Sequence, residues 1–161
     1  PIQNLFERTV MLAPYLGYNA PTNRPNSGGW ANADVPRIVG LSLLRAIGIT
    51  CCDALPTLAL AVPPNSEKNL VSAYSERLRS NFANHPDFRA NLAAATRPLT
   101  IISGADDELM LADKYAEAVR GIVAPVDGEL IGGIDHMGIV RVPRAVSVIV
   151  DEVATRGLAG S

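Results

Sequence analysis

Cysteine is nearly missing from this sequence. Only Cys51 and Cys52 are present, and they are adjacent. That is too few for a disulfide framework or a four-ligand zinc site. An excess of one charge is missing too: 14 Lys and Arg stand against 16 Asp and Glu, for a formal net charge of −2. Such a chain has no electrostatic reason to seek phosphate backbones or anionic membranes. No apolar run approaches the roughly 18 residues of a membrane span. No charged stretch leads into an apolar one as in a signal peptide, and the first residue is Pro1 rather than Met. These absences set the expectations of no nucleic-acid partner, no membrane span, a cytoplasmic location and a parent sequence that continues upstream of Pro1. What is present suits a single folded domain: 161 residues, 48% hydrophobic and 19% charged.

The apolar run Val10 to Ala13 inside Arg8-Thr-Val-Met-Leu-Ala-Pro14 is continuous rather than alternating. This is the pattern of a strand buried on both faces of a parallel sheet. Residues 15–34 read as a loop, punctuated by Pro21, Pro25, Gly28 and Gly29 and ending near Trp30. Asp34 and Pro36 open a helix that runs to about Ile47 and stops at Gly48, with Ile38, Leu41, Leu44 and Ile47 as its apolar face. Residues 49–65, with Pro56, Pro63 and Pro64, read as irregular. A second helix is expected from Ser66 to Phe82, with Leu70, Val71, Tyr74 and Leu78 as its stripe. A short helix follows near residues 87–95.

The pattern then changes. Pro98-Leu-Thr-Ile-Ile-Ser-Gly104 is a second buried-type strand, residues 109–120 a helix, and Val126–Gly133 a third strand. Residues 142–156 carry the clearest helical stripe: Val142, Ala145, Val146, Ile149, Val150 and Val153. Strands alternating with helices predict an α/β fold with a three-layer parallel sheet. The expected organisation is a core strand at 1–14, a helical cap insertion at 15–97 and further core at 98–161.

In an open parallel sheet, ligands bind beyond the carboxyl ends of the strands. Gly104-Ala-Asp-Asp-Glu108 follows the second strand and Gly133-Ile-Asp-His-Met-Gly138 the third. Neighbouring strands lie about 4.8 Å apart, so loops leaving them can bring Asp107 within hydrogen-bond reach of His136. A carboxylate on one ring nitrogen fixes the imidazole tautomer and leaves the other nitrogen free as a base. Asp and Gly after a strand are also ordinary turn residues, and Asp135 with His136 also reads as a turn pair. Glu108 is placed to cap the next helix, His85 reads as a loop residue, and Arg77, Arg79 and Arg89 read as solvated charges.

The stretch Pro98-Leu-Thr-Ile-Ile-Ser-Gly-Ala-Asp-Asp-Glu108, followed by His136, resembles the acid and histidine segments of the α/β-hydrolase family. Arg8-Thr-Val-Met-Leu-Ala-Pro14 resembles that family's sixth strand. The loop and amphipathic helix after it resemble the cap of lysophospholipase-like or serine-aminopeptidase-like members. The resemblance implies a partial α/β-hydrolase fold, with Asp107 as the acid (Asp106 is its neighbouring alternative) and His136 as the catalytic histidine. It implies a serine hydrolase acting on a carboxylic ester or monoacyl lipid, without metal or organic cofactor. The family nucleophile lies in Gly-x-Ser-x-Gly between a strand and a helix, and no such motif occurs here. Pro25-Asn-Ser-Gly-Gly29 lacks the first glycine and Gly40-Leu-Ser-Leu-Leu44 the last. By this resemblance the chain is the carboxyl-terminal half of such a protein, its serine lies upstream of Pro1, and the isolated chain is inactive.

Tyr15, Tyr18 and Trp30 are candidate substrate-binding residues for an acyl chain. Packing of the cap on the sheet is the other reading of the same residues. The expected partners are a small acyl substrate and either the missing amino-terminal half or a second copy joined at the bare sheet edge. The competing function is a non-catalytic module of the same fold that binds a partner.

Overall fold

The computed structural model describes residues 7–62, 70–82 and 87–157. Among them are six strands: β1 (Thr9–Leu12), β2 (Ala31–Ala33), β3 (Pro56–Leu60), β4 (Ala73–Ser75), β5 (Leu99–Gly104) and β6 (Val126–Ile131). Six α-helices accompany them: α1 (Val35–Ala46), α2 (Glu76–Asn81), α3 (Phe88–Ala93), α4 (Tyr115–Ala118), α5 (Gly138–Arg141) and α6 (Pro143–Gly157). The described residues divide into two compact units, residues 7–24 with 87–157 and residues 25–62 with 70–82.

The first unit is α/β. Its sheet has the order β1-β5-β6 with both pairings parallel. The central strand β5 is buried throughout, as its unbroken apolar run predicts. Its side chains alternate between two cores. Leu99 and Ile101 pack with Leu16, Phe88, Leu92, Met110 and Tyr115 on one side. Ile102 packs with Ile131, Ile134, Ile139 and Ala145 on the other. Helices thus cover both faces, giving the three layers expected. Arg8 ties the second face together, donating to Thr100 Oγ1 at 3.0 Å and to Glu152 Oε1 at 2.7 Å. The strand β6 is an edge, exposed from Asp127 to Leu130.

Leu16, Ala20, Phe88 and Leu92 belong to the core of this unit. The break between the units therefore falls inside the span 15–97 that the sequence assigns to one insertion. Large apolar side chains near Leu99 and Ile101 are drawn to the nearest apolar sheet face, whichever segment carries them.

The second unit carries α1 and α2 and also an antiparallel sheet, β2-β3-β4. Asp34 caps α1 by accepting from the Arg37 N–H, and Gly48 follows at φ +83°, as expected. Of its predicted face only Leu41 is buried, and Ile47 is exposed. Several expectations are corrected here, the first at residues 31–33, which were expected as loop and form β2. Residues 56–60, taken as irregular because of their prolines, are a strand, and Pro56 sits at its first residue, where no ladder N–H is needed. The helix expected over 66–82 is confined in the described part to α2. Ser75 caps it through the Leu78 N–H, and Ala73–Ser75 pairs with β3. Ser66, Pro63, Pro64 and His85 lie outside the described residues. The helix expected over 109–120 is a 3-10 turn, Ala112–Lys114, leading into α4. Within the expected stripe of α6, Ala145 is buried, whereas Val142, Val146, Val150 and Val153 are exposed.

Candidate active site

The site begins with Gly104, the last residue of β5. A Cβ there would collide with the Ile134 carbonyl oxygen, so only glycine lets the two loops beyond β5 and β6 close on each other. They are cross-bonded: Ala105 N–H donates to Ile131 O at 2.9 Å, and Asp106 N–H to Ile134 O at 3.1 Å. Parallel pairing of Ser103 with Leu130 and Gly104 with Ile131 keeps the loops level.

The Asp107 side chain is fully buried. Its Oδ1 accepts from the Leu109 and Met110 N–H groups, each at 2.8 Å. Its Oδ2 lies 2.8 Å from His136 Nδ1. Two main-chain donors hold one oxygen, so the other is aimed. The His136 side chain is 22% exposed, and among the described residues nothing hydrogen-bonds its Nε2. With the proton on Nδ1 toward the carboxylate, the Nε2 lone pair is available to an incoming group.

Two further residues brace the pair. The Glu108 carboxylate accepts the His136 main-chain N–H at 2.9 Å. That is a correction, since Glu108 was expected to cap the next helix. Arg24 donates from Nε and Nη2 to the Asp107 carbonyl oxygen at 3.0 and 2.8 Å. Sequence reading missed this contact because 83 positions separate the residues. Below lies Tyr115, whose hydroxyl donates to Pro14 O at 2.8 Å. Burial, and then the negative Asp107, push its phenol upward, so it stays neutral at any physiological pH.

Other predicted residues stand apart from this pair. Asp106 is exposed and does not meet the imidazole. Asp135 Oδ1 accepts the Gly138 N–H at the start of α5. Tyr15 and Tyr18, on the segment leaving β1, are 50% and 75% exposed. Burial, and then Tyr18, raise the Tyr15 phenol. Trp30 belongs to the other unit, where its carbonyl accepts the Ala61 N–H at 2.8 Å. Arg79, expected to be a solvated charge, forms a two-point ion pair with the buried Glu76 at 2.8 and 2.6 Å. Ser27 sits in a 3-10 turn at φ +50°, and Ser42 is exposed on α1.

No protein-family model and no curated protein matches the chain. Among solved structures it is similar to the peroxisomal alpha-beta-hydrolase Lpx1 of Saccharomyces cerevisiae, at 13% identity and a TM-score of 0.49. That match covers 98% of this chain and 49% of the other, so the chain spans about half the length of that protein.

Proposed function

We propose that this chain supplies the acid and the histidine of a serine hydrolase of the α/β-hydrolase type, acting on a carboxylic ester or monoacyl lipid. The observation that carries this reading is the 2.8 Å approach of Asp107 Oδ2 to His136 Nδ1, beyond the carboxyl ends of adjacent parallel strands, with Nε2 free. In this reading a serine from residues upstream of Pro1 attacks the acyl carbonyl while His136 Nε2 takes its proton. His136 returns that proton to the leaving alcohol. Asp107 orients the imidazole and stabilises its charged form. Water then enters by the same route in reverse and releases the acid. Tyr15 and Tyr18, exposed beyond the carboxyl end of β1 on the same sheet edge, are proposed to meet the acyl chain.

The test starts with the tautomer. In Asp107→Asn, the amide oxygen takes the place that accepts the Leu109 and Met110 N–H groups. Its NH2 then faces Nδ1 and forces the proton onto Nε2. Long-range proton–nitrogen NMR correlations at alkaline pH should show Nδ1–H in the unsubstituted chain and Nε2–H in the variant. In a protein that carries the serine, the same substitution should lower kcat by about 10⁴-fold, the scale of a wrong-tautomer triad. The 161-residue chain alone should hydrolyse p-nitrophenyl esters no faster than buffer. Turnover by it that Ser27→Ala or Ser42→Ala abolishes would overturn the placement of the nucleophile.

A further inference from the structure

Two carboxylates, from consecutive residues, touch His136: Asp107 at the ring and Glu108 at the main-chain N–H. The peptide unit between them decides where each side chain leaves the backbone. Its oxygen is the Asp107 carbonyl, and two Arg24 N–H groups grip that oxygen. No other donor to it occurs among the described residues.

Arg24 is itself placed by main-chain contacts. Leu111 N–H donates to Thr22 O at 2.7 Å, and Asn23 forms an isolated antiparallel bridge with Met110. Residues 22–24 thus lie against the loop that carries the acid. Among the described residues Arg24 forms no ion pair with a carboxylate, so this carbonyl is where its planar fork is used. A part-buried carbonyl on a residue with no solvent exposure would lose both its donors on removal of the guanidinium.

We propose that Arg24 is a positioning residue of the Asp107–His136 pair: it fixes the peptide between Asp107 and Glu108 so that one carboxylate meets the imidazole and the other meets the His136 backbone. This rests on the function proposed above and adds to it a residue from the segment after β1.

The experiment uses the 161-residue chain with His85→Gln, which leaves His136 as its one histidine. The ¹⁵N signals of the ring report the tautomer at alkaline pH, and thermal unfolding is followed in parallel. Arg24→Ala should move the ring from predominantly Nδ1–H to a mixture in which Nε2–H is at least half. Arg24→Met, which keeps the aliphatic stem, should do the same and carries the test if the alanine variant does not fold. A folded Arg24 variant that keeps the original tautomer overturns the proposal, even if its unfolding midpoint falls, because Arg24 then only stabilises. Failure of the underlying reading looks different. In that case the unsubstituted chain lacks the Nδ1–H form, or Asp107→Asn leaves it in place.

Discussion

The two oxygens of Asp107 have separate tasks, and the separation comes from their surroundings. One is saturated by main-chain donors within its own turn, and the other faces a ring 29 positions away. The first contact is local and readable, since Asp after Gly-x-x in a turn accepts from the next residues. The second needs β5 and β6 to be neighbours. Gly104 makes the second possible by its lack of a side chain. Gly104→Ala should therefore destabilise the chain by about 1–3 kcal/mol, the usual cost of forcing a group into filled space. Urea unfolding would measure it, and a variant as stable as the parent would mean that the loops do not meet where described. Glu108 shows the limit of reading at this scale. A carboxylate at the start of a helical segment favours the cap by default, but the main-chain N–H of His136 on the loop beyond β6 is the partner it takes.

Among the elements, β5 and the helix start at Asp34 were legible because their signals are local: an unbroken apolar run, and a capping side chain followed by proline. The strands β3 and β4 were not. Each is short: β4 becomes a strand only by pairing with β3, and β3 by pairing with β2 and β4. The stripe of α6 matched helical spacing, but its valines at 146, 150 and 153 stay exposed because the sheet reaches only the Ala145–Ile149 side. The pair Glu76–Arg79 carries a prediction at this level. Hydrogen bonds from Arg79 hold the Glu76 carboxyl below the usual range, and burial opposes them. The unfolded chain then takes up this proton first as pH falls. The stabilisation is complete above the unfolded value, about 4.3, and drains away as pH drops through the lower folded value. Glu76→Gln should cost about 1–3 kcal/mol at neutral pH, and the gap to the parent should narrow in acid. Unfolding curves taken from pH 7 downward would check this. A gap that widens in acid would contradict the assignment.

At the scale of the whole molecule, the deciding strand is β1, at one end of the sheet order. Among the described residues it pairs with β5 alone, and Val10, Met11 and Leu12 are only half-buried. An unpaired edge of this kind recruits another strand. We propose that it pairs with a strand supplied from outside these 161 residues, or in its absence with a second copy. Sedimentation of the isolated chain should show species heavier than 17.0 kDa, and a clean monomer across the micromolar range would count against that. The sequence by itself determined the α/β class of the sheet unit, the turns after β5 and β6 from which Asp107 and His136 leave, and the absence of a Gly-x-Ser-x-Gly motif, because apolar runs, turn residues and motifs are properties of adjacent positions. Only the tertiary structure decided that Asp107 rather than Asp106 meets His136, that residues 15–24 and 87–97 pack with the sheet unit, and that Arg24 and Glu108 brace the pair. These depend on which strands lie side by side and which apolar faces are near enough to be covered, and contacts between distant positions leave no period or motif in the order of the residues.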